Sequence, residues 1–318
     1  MKSSGIGGQA VIEGVMMRNK NKYAVAVRKP DNEIEVMVKD CEGLSDKYRF
    51  LKLPVIRGVA NFIDSLVIGM STLTYSASFY EEEDEGDKKK SSAKSEEEKA
   101  SDDKKKAKQE KFVMTCTTIF SIVLAIAIFM IAPYYVSRFF SIFVKNDTAI
   151  ILIEGVIRLG FFISYVKLIS LMQDIKRVYM YHGAEHKCIN CIEHGLDLTV
   201  ENVMKSSKEH KRCGTSFLLI VMCISILFFM VIRVDSPVLK LLLRLVLIPV
   251  IAGVSYEVLR AAGNSDSKVL DIISRPGLLL QRLTTREPDE QMVEVAIASV
   301  EAVFDWKEYV EKIKEDET

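Results

Sequence analysis

Apolar residues in this chain of 318 residues are gathered into long runs, and one of them sets the first constraint on any fold. From Phe112 the sequence reads FVMTCTTIFSIVLAIAIFMI, a stretch of 20 residues without a charge. At 1.5 Å per residue a helix of about 20 residues crosses the hydrocarbon core of a bilayer. Three further runs are of similar character: Thr148 to Met172, Phe217 to Val234 and Val238 to Leu259. The expectation is four transmembrane helices.

Charge is segregated in the complementary way. Glu81 to Lys111 carries 12 acidic and 10 basic residues and no large apolar side chain. Such a segment has too little apolar surface to offset its ordering entropy and reads as a charged, disordered linker. Over the whole chain the 43 basic and 43 acidic residues cancel. A nucleic-acid partner, which needs a net basic face, is therefore not expected. Met1 to Gly14 is glycine-rich, carries Lys2 and Glu13, and lacks the apolar core of a signal peptide. Lys and Arg crowd before the first run, between the second and third, and after the fourth, while the other two connections are short and charge-poor. The positive-inside rule then places both termini in the cytoplasm of a multi-pass protein. Cysteines there stay reduced, and no disulfide framework is expected.

Outside the runs, GQAVIEGVMMR and KYAVAVRKPDNEIEVMVKD read as strands, the latter folding over Pro30-Asp31-Asn32. GIGGQA resembles a dinucleotide fingerprint only superficially, since it precedes a strand instead of joining strand to helix. Leu53 to Tyr80 has the apolar stripe of an amphipathic helix that covers the sheet or lies on the membrane surface. Arg275-Pro276-Gly277 is expected to break the chain, and Pro288 suits the start of a last amphipathic helix containing Val293, Ala296, Ile297, Val300 and Phe304. The expected organisation is a small α+β segment (1–80), the linker (81–111), a membrane domain (112–260) with a His/Cys loop at 173–214, and a carboxy-terminal segment (261–318) with a helix. The fold class is mainly α, an integral membrane protein with a small cytoplasmic α+β portion. Within the runs, Glu154, Arg158, Lys167, Arg244 and Glu257 should face protein or a wet cavity and find partners. Glu154 has Arg158 four residues on, and Glu257 has Arg260 nearby.

All four histidines, at 182, 186, 194 and 210, fall within about thirty residues. YHGAEHKCINC contains His182-x-x-Glu185-His186, the spacing in which two imidazoles one helical turn apart bind a metal and a carboxylate serves as general base. On a helix at about 100° per residue, His186 and Glu193 fall within about 40° of His182, whereas Cys188 and Cys191 lie on the opposite side. Gly195 is a natural terminator, with His194 in the last turn. A second arrangement breaks the helix: Cys188-x-x-Cys191 with His210-x-x-Cys213 has the paired spacing of a closed, structural zinc site. A third has no metal, only hydrogen-bonded histidines and buried cysteines.

GGQAVIEGVMMR, YHGAEHK and HKRCGTSF together resemble the YqhQ-like family of bacterial membrane proteins, often labelled a predicted metal-dependent enzyme. The resemblance covers the chain apart from the charged linker. It matches at His182, Glu185, His186, Glu193, His210, Arg212, Cys213 and Gly214 and implies a bacterial cell membrane as the location. Residues other than cysteine are usual where this chain has Cys188 and Cys191, which speaks against the four-ligand site. The resulting expectation is a membrane-embedded hydrolase using zinc or another divalent metal. His182 and His186 would hold it with a further ligand from Glu193, His210 or Cys213, while Glu185 acts as general base and Arg212 steadies negative charge. Membrane lipids are expected neighbours. An anionic lipid-like or a peptide substrate, a homo-oligomer and a membrane-protein partner all stay open, as does the alternative of a non-enzymatic scaffold or small transporter with a structural His/Cys cluster.

Overall fold

The computed structural model of the chain describes residues 4–86, 113, 115–232, 234, 236–263 and 268–316. The charged stretch beyond residue 86, up to 111, lies outside them. The protein is a mainly α membrane protein with a small α+β part. Four helices are long and apolar enough to cross a membrane: Thr115–Phe140, Asp147–Ile169, Gly214–Val231 and Pro237–Ala262.

An antiparallel sheet in the order β1-β2-β3-β4 opens the chain: β1 (Ile6–Val11), β2 (Gly14–Asn19), β3 (Lys22–Arg28) and β4 (Ile34–Asp40). The first stretch read as strand is itself a hairpin, turning at Ile12 and Glu13, whose φ of 48° is left-handed. The β3–β4 turn is closed by Lys29 N–H donating to Glu33 O at 2.8 Å, with Asn32 at φ 67°. Asparagine accepts that conformation at lower cost than most side chains.

Alternation along the strands gives the sheet two buried faces. Val11, Met16, Tyr23, Val25 and Val27 face one way, under Ile68, Tyr75, Phe79 and Tyr80 of α2 (Ile56–Gly86). Val15, Met17 and Ala26 face the other way, against α6 (Gln173–Glu193) and α11 (Glu290–Glu301). Alanines at 24 and 26 leave room for α11, whose Ser299 hydroxyl donates to Ala24 O at 3.2 Å. The edge strand β4 is largely exposed and carries Glu35, Lys39 and Asp40, charges that discourage edge-to-edge pairing. So the carboxy-terminal half of α2 covers the sheet, as one of the two expectations had it, while the amino-terminal half does something else.

That half leans on a membrane helix. A Cβ on Gly58 would lie 2.8 Å from Gly253 O, so α2 and α9 (Pro237–Gly263) touch backbone to backbone. Arg57 Nε donates to Glu257 Oε1 at 2.6 Å across the same contact. Glu257 therefore pairs with Arg57 and not simply with Arg260 of its own helix. Arg244, fully buried, stacks over Phe229 of α8 (Gly214–Val231), its carbon 4.7 Å from the ring centre. A planar, weakly hydrated guanidinium is the cation best suited to such a face.

The carboxy-terminal segment departs from expectation at Pro276. Helix α10 (Lys268–Thr284) runs through it without a break. Packing outweighs the missing N–H: Gly277 lets α10 approach α8 so closely that a Cβ there would lie 2.6 Å from Ser216 Oγ. After α10, Asp289 caps α11 by accepting from Met292 N at 2.8 Å. A last helix, α12 (Trp306–Asp316), lays Val310 into the core of the sheet layer.

Residues 81–165 form a second compact unit. It contains α3 (115–126), a π turn (Ala127–Ile131), α4 (Ala132–Phe140) and most of α5 (Asp147–Ile169). Arg158 donates to Glu154 at 2.8 Å along α5, both side chains buried. Pairing at i,i+4 satisfies two charges that would be costly apart in lipid.

Glycine spacing gives a direct check on this packing. Gly183 of α6 would place a Cβ 2.0 Å from Arg286 O, a backbone atom that cannot swing aside. Gly183→Ala is expected to destabilise the purified protein by about 1–3 kcal/mol, the range for overpacking, read as a lower melting temperature. Gly160→Ala in α5, with nothing within 4 Å of the new methyl, should leave it unchanged or slightly raised.

Candidate metal centre

Helix α6 is unbroken, and its two sides do different work. Cys188, Ile189, Cys191 and Ile192 are buried in the core with Val15, Met17 and α11. Burial lifts the Cys188 thiol well above its ordinary value and Cys191 to about 11, so both stay protonated. The paired-cysteine arrangement is not the one assembled: Cys188 and Cys191 lie in the apolar core, and among the described residues the side chains brought together are His182, His186 and Cys213. Gly195, at φ 71°, ends the helix with its N–H on Ile192 O, and Leu196 N–H returns to Cys191 O.

The other side of α6 carries His182, His186, Asn190 and Glu193. It faces the loop 206–213, which that side of the helix holds in place. Asn190 Nδ2 donates to Ser207 O and Glu209 O at 2.7 and 3.0 Å, and Lys187 Nζ donates to Met204 O and Ser206 O at 2.8 and 2.9 Å. Satisfying backbone carbonyls from buried side chains is how an irregular loop survives inside a protein.

The two imidazoles meet edge to face, ring centres 4.4 Å apart. His182 Nδ1 lies 2.8 Å from Thr284 O, and His186 Nδ1 lies 2.7 Å from Lys208 O. A carbonyl oxygen only accepts, so each Nδ1 carries the proton and each Nε2 turns its lone pair inward. Cys213, at the amino terminus of α8, brings its Sγ to 3.3 Å from His182 Nε2. The donor atoms of His182, His186 and Cys213 all lie within 4.8 Å of one another. Of the three alternatives for a further ligand, Cys213 is the one whose donor atom joins the two histidines.

Glu185 stands over this cluster, its Oε2 3.8 Å from His182 Nε2 and 3.9 Å from His186 Nε2. Burial pushes its carboxyl up to about 6, against the opposing pull of His182 and the Gly8 backbone. β1 passes so near that a Cβ on Gly8 would lie 2.8 Å from Glu185 Cγ. The glycines discounted as a nucleotide loop thus have a local reason: no other residue allows the strand so close to the carboxylate.

Glu193 and His210 are engaged with each other. Glu193 accepts from His210 Nε2 at 3.3 Å, from Ser4 N–H and Oγ at 2.7 Å each, and from Arg212. Burial alone would raise its carboxyl; the hydrogen bonds from His210 and Ser4 and the Arg212 charge outweigh it and hold Glu193 at about 2. His210 is displaced downward by burial despite Glu193. Its backbone is clamped by Gln281, which accepts from His210 N–H at 2.9 Å and donates to His210 O at 2.7 Å and to Ser216 Oγ at 2.9 Å. Arg212 is thereby fixed beside the cluster. Ser4, Gln281 and Thr284 are the participants no motif announced, because each acts through backbone or from a distant segment.

Fold and site together define a multi-pass membrane protein with a His/His/Cys cluster held between a small sheet and the ends of its membrane helices. Residues 53–306 match a family described as "Protein of unknown function (DUF1385)", and the chain belongs to that family. It is 34% identical over 294 residues to "Uncharacterized protein YqhQ" of Bacillus subtilis (strain 168), spanning 92% of this chain and 90% of that protein. No solved structure matches.

The Glu193 network makes stability depend on pH. With a folded value of about 2 against an ordinary 4.5, ionised Glu193 stabilises the protein fully above pH 4.5. That contribution is lost as pH falls from 4.5 towards 2. Glu193→Gln should lower the melting temperature at pH 7 by the equivalent of on the order of 3 kcal/mol. Between wild type and variant the gap should narrow steadily on acidification.

Proposed function

We propose that the protein is a membrane-embedded, metal-dependent hydrolase of the zinc type, with His182, His186 and Cys213 as ligands. The observation that supports this most is the pair of Nδ1–carbonyl hydrogen bonds, which leave both Nε2 atoms free to ligate, with the Cys213 sulfur 3.3 Å from Nε2 of His182 and the three donor atoms within 4.8 Å of one another. Metal-binding histidines characteristically anchor their second nitrogen in this way. Two nitrogens and one sulfur, with a position left for water, are the donor set of catalytic and not closed structural zinc sites. In that position the ion would supply a polarised, acidified water.

The chain's own groups fit the rest of such a reaction. Glu185, with its carboxyl near 6, is ionised at neutral pH yet basic enough to take a proton from that water. Arg212, steadied by Glu193, is placed to offset negative charge developing on a substrate. The site belongs on the cytoplasmic side of a bacterial cell membrane, with both termini there, on the distribution of Lys and Arg along the sequence.

Elemental analysis of the purified full chain tests the reading. About one zinc per chain is expected, lost in His182→Ala, His186→Ala and Cys213→Ser, and kept in Cys188→Ser and Glu185→Gln. A wild type without metal, or metal that departs with Cys188→Ser, would overturn it.

A further inference from the structure

The cluster opens into a cavity of about 450 Å³ whose walls come from unlike parts of the chain. Gly7 and Gly8 line it from β1, Asn61 and Ser65 from α2, and the start of α8 at Gly214 meets it beside Tyr256, near the end of α9. Asn61 Nδ2 donates to the Tyr256 hydroxyl at 2.8 Å. One membrane helix begins and the next one ends at this cavity, so it lies level with one face of the bilayer.

Helix α2 forms the wall towards that bilayer. From Leu53 to Tyr80 it has two charges, and neither is free: Arg57 is bound to Glu257, and Asp64 is buried and accepts from Leu44 N–H at 2.9 Å. Apolar residues on its outward side are bare, among them Ile63, Leu66, Val67 (65% exposed) and Met70 (61%), interspersed with uncharged Ser65, Ser71 and Thr74. Asn61, Ser65 and Ile68, which line the cavity, interleave with this stripe. A bare apolar stripe on the Ile56–Tyr80 stretch of the helix, whose two charges are both paired, packed directly on a membrane span, is continuous with the lipid-facing surface.

Electrostatics inside favour an anion. Glu185 is the single carboxylate in the lining, against Arg18, Lys20 and Arg212. Glu193 offsets Arg212. Arg18 donates to the Lys20 carbonyl, and among the described residues no carboxylate pairs with either of these two cations. The amino terminus of α8 adds its positive end from the opposite wall.

We infer that the cavity takes an anionic phospholipid from the adjoining leaflet, its phosphate-bearing headgroup towards Arg18 and Lys20 and its acyl chains along the Leu66–Met70 stripe of α2. This names the substrate class of the site proposed above and rests on that reading for the reaction, not for the binding.

Fluorescence anisotropy of a labelled short-chain phosphatidylglycerol on the detergent-solubilised full chain tests it. Unlabelled phosphatidylglycerol should displace the probe at least about tenfold better than phosphatidylcholine of equal chain length, roughly one charge contact's worth. Inorganic phosphate at the same concentration should not displace it. Arg18→Gln with Lys20→Gln should weaken binding by about tenfold, and so should Val67→Gln with Met70→Gln, whereas Lys39→Gln on β4 should not. Equal competition by phosphatidylcholine would show that charge is not read, and competition by phosphate alone would show that the chains are not needed; either overturns the inference. Unchanged binding in both double variants would do the same, and melting curves exclude misfolding as the cause of a loss. Zinc measured in the same samples separates the two claims: metal without lipid selectivity removes this inference alone, and selectivity without metal removes the hydrolase reading alone.

Discussion

The structure around the site depends on α6 being unable to rotate. Its core side is filled by Ala184, Cys188, Ile189, Cys191 and Ile192 against the sheet and α11, all essentially without solvent contact. Turning the helix by one residue, about 100°, would drive those side chains into the polar loop and the imidazoles into the hydrophobic core. The apolar packing is therefore what aims His182 and His186, and the cost of leaving a buried imidazole or amide unpaired keeps the loop 206–213 docked onto them. Geometry of the site and stability of the core are two readings of one helix.

Electrostatic bracing follows the same economy of position. Glu193 sits two turns beyond His186 on the site side, too far along the helix to join the two histidines, yet it collects Ser4 from the amino terminus and His210 and Arg212 from the loop. Its charge is held by four donors from three residues in two segments, which ties the first residues described to the entry of α8. With Gln281 fastening the His210 backbone from α10, the loop has a partner on each side.

Much of this was written in local periodicity. Four apolar runs announced four helices, alternation and the Pro30-Asp31-Asn32 turn announced the sheet, and the angular positions of His182, His186, Cys188 and Cys191 separate a polar from a core side. What periodicity does not encode is tertiary approach. Pro276 looked like a break because a proline costs a backbone hydrogen bond; the close contact of Gly277 with Ser216 is a pairwise fact with no local signature. Gly8 and Gly58 are likewise explained only by what comes near them. Thr284 and Lys208 contribute carbonyls, which every residue possesses, so no reading of side-chain type could have singled them out. The third donor illustrates the intermediate case: three residues were equivalent by spacing, and only the loop's path chooses among them.

Membrane and site are joined by construction. Cys213 stands at the amino terminus of one span, Thr284 and Gln281 belong to the helix packed on that span, and α2 reaches the neighbouring span through Gly58 and Arg57 before it covers the sheet. Removing the spans would take away the helix that Cys213 caps and the surface on which α10 seats the Thr284 carbonyl and the Gln281 clamp. The sheet with α2 and α11 could retain much of its two-faced core but nothing that points the imidazoles. A fold that needed only a water-filled pocket would have no physical reason to build it from the ends of bilayer-crossing helices, where every charge such as Glu257 or Arg244 must be matched against its desolvation. Position at the membrane face is therefore part of how the cluster is assembled.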